Sequence, residues 1–243
     1  MNLIIDQGNT ASKIALYANE NEVFFKKTSN AELLSSITTL LEEYPVDKAI
    51  FSSVVDFENA SVDFLNDHIR FFIHLNKKTP LPVQTVYETP ETLGKDRLAG
   101  VVGANYLQPG KNCLVIDAGT AVTFDFIDAE GIYRGGNISP GLTMRFKALN
   151  EFTSKLPLLT SEGDIPMLGY STETAVRSGV INGLIYEIDS YINELKKKYA
   201  NLFVFLTGGD TFFLAAKVKS SIFADTKLLT KGLNRILNYN ADL

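Results

Sequence analysis

The sequence predicts an α/β protein of two related domains, residues 1–110 and 111–243 of a 243-residue chain. Three observations carry that expectation. Residues 4–10, Ile-Ile-Asp-Gln-Gly-Asn-Thr, are echoed at 115–121 by Val-Ile-Asp-Ala-Gly-Thr-Ala, so an apolar strand ending in Asp-x-Gly occurs twice. Each copy opens a run of strand-length apolar segments followed by helical ones, the alternation of an α/β fold. Between the halves lies Gln108-Pro109-Gly110-Lys111-Asn112, a connection by its Pro-Gly chemistry.

In the first half, residues 3–6, 13–17 and 23–27 read as three strands, with a hairpin turn at Gly8. Leu33, Leu34, Ile37, Leu40 and Leu41 recur at helical spacing and predict a helix over 31–43. A strand follows at 48–54, a helix at 60–67 and a strand at 71–75, and Pro80, Pro82 and Pro90 mark a loop. Small and apolar residues at 97–107 predict a buried helix. The second half repeats the plan, with strands at 113–117, 123–128 and 132–136 and a helix at 142–151. A loop carries Pro157 and Pro166, and a long helix covers 173–198. Its closing Lys196-Lys197-Lys198 suits the negative end of a helix dipole and reads as a solvated end. A strand at 202–206 and helices near 211–218 and 231–238 complete the chain.

Composition narrows the class. The net charge of −5 gives no reason to expect a nucleic-acid partner, and the longest apolar runs are too short to span a membrane. Met1-Asn2-Leu3-Ile4-Ile5-Asp6 lacks the basic and cleavage features of a signal peptide, and Cys113 is the only cysteine, so a cytoplasmic location is expected. Cys113 opens an apolar run and reads as a small buried residue. His68 and His74 are the only histidines, and with no cysteine cluster nearby neither zinc binding nor histidine catalysis is expected.

The repeated turn has a definite chemistry. Asp6 and Asp117 stand where each strand leaves the core, and Gly8 and Gly119 follow two residues later. Glycine lets backbone N–H groups approach a phosphate unobstructed, and Thr10 and Thr120 add hydroxyls. A carboxylate repels phosphate but can hold a cation, or its waters, that bridges phosphate oxygens. One Asp-x-Gly alone is equally an ordinary turn; the second copy favours a shared role. Neither the Gly-x-x-x-x-Gly-Lys-Ser/Thr pattern nor Gly-x-Gly-x-x-Gly is present. A third strand runs into Thr207-Gly208-Gly209-Asp210, where adjacent glycines can let backbone pass close to a flat ligand such as adenosine. This order resembles the actin/Hsp70/sugar-kinase superfamily, which implies a duplicated, ribonuclease H-like fold with nucleotide in a cleft between two related domains.

Between the two turns, Tyr87 precedes Gly94-Lys95-Asp96-Arg97 at the start of a helix. Taken alone, Asp96 reads as a helix N-cap, Arg97 as a surface residue and Tyr87 as ordinary packing. Together with Asp6-x-Gly-Asn-Thr10, Asp117-x-Gly-Thr120, Gly136-Asn-Ile-Ser-Pro-Gly141, Gly169-Tyr-Ser-Thr172 and Thr207-Gly-Gly-Asp210, the segment resembles the type III pantothenate kinases in order and over nearly the whole chain. The resemblance implies ATP-dependent phosphorylation of pantothenate, with magnesium accompanying ATP. It implies that Asp6, Gln7, Gly8, Asn9, Thr10, Ala11, Ser12 and Lys13 form the first phosphate loop and that Thr120 contacts ATP. It makes Asp96 the base for the pantothenate hydroxyl, and puts Tyr87, Gly94, Lys95, Asp96, Arg97 and Thr172 around pantothenate. It puts a monovalent cation, potassium or ammonium, at Asp117, and implies a homodimer. Thr172 is equally an N-cap of the long helix. Arg145 and Arg177 are further candidate charges without an assigned place. Gln7, Lys95 and Ser171 depart from the family's usual aliphatic, small and asparagine residues. The competing readings are a polyphosphate or guanosine pentaphosphate phosphatase, an actin-like filament protein and a noncatalytic regulatory relative. The first two usually run longer, and retention of Asp6, Asp96, Asp117 and Thr120 counts against the third.

Overall fold

The computed structural model describes residues 1–54 and 60–243. These fall into two compact units, one of 1–109, 131–133 and 227–243, the other of 110–130 and 134–226.

In the first unit the strands are β1 (Asn2–Gln7), β2 (Ser12–Ala18), β3 (Asn21–Thr28), β4 (Lys48–Ser53) and β5 (Phe71–His74). They form a sheet of order β3-β2-β1-β4-β5. β1 is antiparallel to β2 and parallel to β4. The helices are α1 (Leu33–Glu43), α2 (Ala60–His68) and α3 (Lys95–Leu107). The two-residue strand β6 (Gln84–Thr85) pairs in parallel with Ile132 and Tyr133.

Side chains alternate across the sheet, as pleated strands require. Leu3, Ile5, Ile14 and Phe51 pack with Leu33, Ile37 and Leu40 of α1 and Leu65 of α2. Ile4, Ala15 and Ile50 point the other way, against Ala99 and Val102 of α3. The alternation leaves Asp6 and its parallel neighbour Ser52 on the same face as Ile4 and Ile50.

The second unit is built on β7 (Cys113–Ala118), β8 (Ala121–Ile127), residues 134–140 of β9 (Ile132–Pro140), β10 (Phe203–Thr207) and β11 (Phe223–Ala224), in the order β11-β10-β7-β8-β9. β9 runs four residues beyond the expected end at 136. Its core joins Leu114, Ile116 and Leu206 to Leu142 and Phe146 of α4 (Leu142–Glu151) and to Ile181, Leu184 and Ile188 of α5 (Thr172–Lys198). The helix expected at 211–218 is the shorter α6 (Thr211–Ala215).

The last helix, α7 (Leu228–Ala241), groups with the first unit although a division by chain order at 110 put it in the second. Leu233, Ile236 and Leu237 pack with Ile4, Ala99 and Val102. Glycine makes that contact possible: a Cβ on Gly232 would lie 1.9 Å from the Ala99 carbonyl oxygen, and one on Gly103 2.5 Å from that of Leu228.

Candidate active site

The hairpin register sets Asp6 opposite Lys13 and Gln7 opposite Ser12. The turn closes where the Gly8 N–H donates to the Ala11 carbonyl at 3.1 Å. Asn30 braces it from outside the hairpin: its Nδ2 donates to the Gly8 carbonyl at 3.0 Å, and its Oδ1 accepts from Ser12 Oγ at 2.8 Å. Gln7 is buried and accepts from Ser53 Oγ at 2.9 Å, so Gln7 and Ser12 fasten the turn from within. Asn9 and Thr10 stand exposed at its tip, beside half-buried Gly8 and Ala11. The Asp6 carboxylate is buried and meets Lys13 Nζ at 3.4 Å. Burial pushes its pKa up, Lys13 opposes this, and the charge of Asp96 adds to the rise.

That last influence joins the first turn to the start of α3. The helix cap there is Gly94, not Asp96. Asp96 sits in the first turn, its Oδ1 accepting the Arg97 N–H at 2.8 Å. A Cβ on Gly94 would lie 2.5 Å from that oxygen, so glycine makes room for the carboxylate. Arg97 is buried rather than on the surface. Its Nη2 donates to the Tyr133 hydroxyl at 2.8 Å, and its guanidinium lies 5.7 Å from the centre of the Tyr87 ring. The Tyr87 and Tyr133 rings are 5.9 Å apart. Tyr87 is thus more than filler, and Tyr133 joins it as a partner that sequence reasoning missed. No local motif marks Tyr133; only tertiary pairing brings it to Arg97. Lys95 is half-buried, and its charge joins burial in lowering the pKa of His74.

In the second unit the Asp117 carboxylate is half-buried at the end of β7, its register neighbours Thr123 on β8 and Thr207 on β10. The Gly119 N–H donates to the Ala121 carbonyl at 2.9 Å, which leaves Thr120 exposed on the turn. Gly141 backs this turn, donating to the Thr120 carbonyl at 3.1 Å; a Cβ there would stand 2.2 Å from the Gly119 oxygen. Gly208, at φ +99°, crosses the end of β7 so closely that a Cβ would lie 2.4 Å from the Ala118 carbonyl oxygen and 2.5 Å from Asp117 Oδ1. The Asp210 N–H donates to the same carbonyl at 3.0 Å, and burial raises the Asp210 pKa. The two Asp-x-Gly turns are therefore both hairpin turns, and Thr207-Gly-Gly-Asp210 lies directly on the second.

Thr172 is exposed in the first turn of α5 and is not its cap. Ser171 caps the helix, its Oγ accepting the Thr174 N–H at 3.2 Å while Thr174 Oγ1 accepts the Ser171 N–H at 2.9 Å. Arg145 and Arg177 tie the second unit to itself. Arg145 donates to the Pro140 carbonyl at 2.8 Å and to Ser139 Oγ at 2.9 Å and pairs with Glu187. Arg177 donates to the Thr160 carbonyl at 3.3 Å beneath Gly163.

Residues 2–194 match the type III pantothenate kinase family. A type III pantothenate kinase of Phocaeicola vulgatus is 52% identical over the full length of both chains. One of Porphyromonas gingivalis is 45% identical over 98% of each. Among solved structures, a conserved putative Baf family transcriptional activator of Campylobacter jejuni is 25% identical, with TM-score 0.65 over 99% of this chain and all of that one. A ROK family glucokinase of Streptomyces griseus, solved with glucose and AMPPNP, covers 98% of this chain and 99% of its own with TM-score 0.55 at 9% identity. That likeness concerns the fold alone, which is that of the actin/Hsp70/sugar-kinase superfamily. With residues 2–194 matching the family and a relative 52% identical over its full length, the chain belongs to the type III pantothenate kinase family.

Proposed function

We propose that this chain transfers the γ-phosphoryl group of ATP to pantothenate, giving 4′-phosphopantothenate, the first step of coenzyme A biosynthesis. Phosphoryl transfer asks the protein mainly for positioning and charge stabilisation. The exposed tip of the first turn offers Asn9 and Thr10 and the N–H groups around them to phosphate oxygens, and Lys13 supplies a positive charge beside it. Thr120 has the equivalent role on the second turn. Asp96 orients the pantothenate hydroxyl and takes its proton, assistance worth about 10²–10⁴-fold. Arg97, held by Tyr133 and Tyr87, lines the pantothenate pocket with Gly94, Lys95 and Thr172.

Magnesium enters with ATP. The residues at Asp117 fit a monovalent cation, potassium or ammonium: a half-buried carboxylate, backbone carbonyls and threonine hydroxyls are hard oxygen donors. Such a cation adds positive charge near the phosphates. We place the active protein in the cytoplasm, as a homodimer. Among the described residues no helix is long and apolar enough to cross a membrane.

The observation that carries this reading is that, inside one unit, the Asp96 charge helps raise the pKa of the buried Asp6 carboxylate that pairs with Lys13. The test is formation of 4′-phosphopantothenate by the wild type and by Asp96→Asn, with potassium or ammonium present. Asparagine keeps the size and the accepting oxygen but is no base. A drop in kcat of about a hundredfold or more, with the fold intact, is the expected outcome. An Asp96→Asn enzyme as fast as the wild type removes Asp96 from the chemistry, and a wild type that forms no product under either cation removes pantothenate.

A further inference from the structure

Three buried hydroxyls have no hydrogen-bond partner among the described residues: Ser52, Ser178 and Thr207. A buried hydroxyl left unpaired is costly, so its persistence calls for a reason. Two of the three occupy equivalent places in the two units. On β4, Ser52 is the parallel register partner of Asp6; on β10, Thr207 is the parallel register partner of Asp117. Register partners on neighbouring strands share a face of the sheet, so each hydroxyl lies on the same side as the aspartate of its phosphate turn. Ser52 is 1% exposed and Thr207 fully buried.

The next residue along each strand sharpens the contrast. Ser53 is spent on Gln7 at 2.9 Å, which fixes the first turn, while Ser52 beside it is held unpaired. After Thr207 comes Gly208, whose missing Cβ leaves the space that Asp117 Oδ1 occupies. The second carboxylate therefore lies against the end of β10, next to the Thr207 position. Ser178, on α5, has no such counterpart.

We propose that Ser52 and Thr207 are a matched pair of positioning residues, each hydroxyl holding its neighbouring aspartate, through one shared water, in the orientation that receives the metal–nucleotide. This rests on the kinase reading. A buried water needs two to four polar partners, and the hydroxyl and carboxylate supply two, with the metal–nucleotide completing the set. The duplication explains why the same unpaired group recurs at the same register position in both units. It also explains why a serine and a threonine both serve, since they share only the hydroxyl.

The test compares Ser52→Ala, Thr207→Val and Thr207→Ser with the wild type by three readouts. These are thermal melting without nucleotide, calorimetric affinity for magnesium–AMPPNP, and kcat and KM for phosphorylation of pantothenate. Because no protein group bonds these hydroxyls directly, their loss leaves no newly unpaired protein partner and changes the melting temperature little. The proposal expects that result together with roughly tenfold or greater weakening of magnesium–nucleotide affinity, the scale of a lost hydrogen bond to a charged group. It also expects a matching rise in KM for ATP, and near-wild-type affinity for Thr207→Ser. Affinity within twofold of the wild type in Ser52→Ala and Thr207→Val overturns it. So does a Thr207→Ser affinity as poor as that of Thr207→Val, and so does a fall in melting temperature that accounts for the lost binding. A wild type that binds magnesium–AMPPNP but leaves pantothenate unmodified overturns the kinase reading alone, and the affinities still decide this proposal. A wild type that binds no nucleotide overturns both.

Discussion

Asp6 holds its place against its own solvation. The residue is 7% exposed, and burial raises its pKa more than the Lys13 ammonium at 3.4 Å lowers it. A carboxylate whose folded pKa lies above its unfolded value favours the folded state only while protonated. That contribution is complete below the ordinary aspartate value of 3.8 and is lost as the pH rises through the raised folded value. At neutral pH the ionised group therefore works against folding. Asp6→Asn should be more stable than the wild type in urea at pH 7, and the gap should close as the pH falls toward the ordinary aspartate range. A less stable Asp6→Asn at pH 7 would show that the Lys13 pair outweighs desolvation. Nothing in the local sequence required so buried a charge, but the proposed role of Asp6 in the phosphate loop gives it a use.

At the scale of elements, the strands and most helices were legible because their signals are local. Asp-x-Gly ends β1 and β7, the leucine spacing sets α1, and the apolar run over 97–107 marks α3. The alternative readings of Asp96 and Thr172 as helix caps fall away, since Gly94 and Ser171 precede the helices. A sequence shows which residues can cap, whereas the backbone decides which one does. The packing of α7 against β1 and α3 was not legible in the sequence, because strand and helix periodicity carries no record of contact across more than a hundred residues. The structure shows that Gly103 and Gly232 permit it, through close approach rather than flexibility. Alanine is the better helix former by about 1 kcal/mol, so propensity alone predicts that Gly232→Ala stabilises. The 1.9 Å approach to the Ala99 carbonyl predicts the opposite sign. Overpacking of this kind should cost about 3 kcal/mol in equilibrium denaturation. It should also lower kcat, because α3 carries Asp96 at its start. A stabilised Gly232→Ala would mean that the two helices separate without cost.

For the whole molecule, the second unit presents apolar side chains that stand exposed among the described residues. Phe152 is 82% exposed, Leu168 83%, Met167 75% and Tyr170 73%, all on the stretch between α4 and the start of α5. Tyr186, on α5, reaches the same region, its hydroxyl 3.2 Å from the Met167 sulfur. Single exposed apolar residues are ordinary, but several on one short segment mark a surface that associates. A stable interface takes about 800 Å² from each partner, and large apolar and aromatic side chains are the residues that supply most of its energy. The proposed homodimer gives this surface its partner. Sedimentation equilibrium at micromolar concentration should return twice the mass of the 243-residue chain. Phe152→Asp combined with Leu168→Asp should return a single chain with an unchanged far-ultraviolet circular dichroism spectrum, since neither side chain belongs to the buried core. Thr172 stands on α5 just beyond this segment, so loss of the dimer should also raise KM for pantothenate more than KM for ATP. A wild type that sediments as one chain at about 100 µM, a concentration at which even a weak standard-sized interface forms, would end the homodimer reading and assign the apolar segment to a different partner.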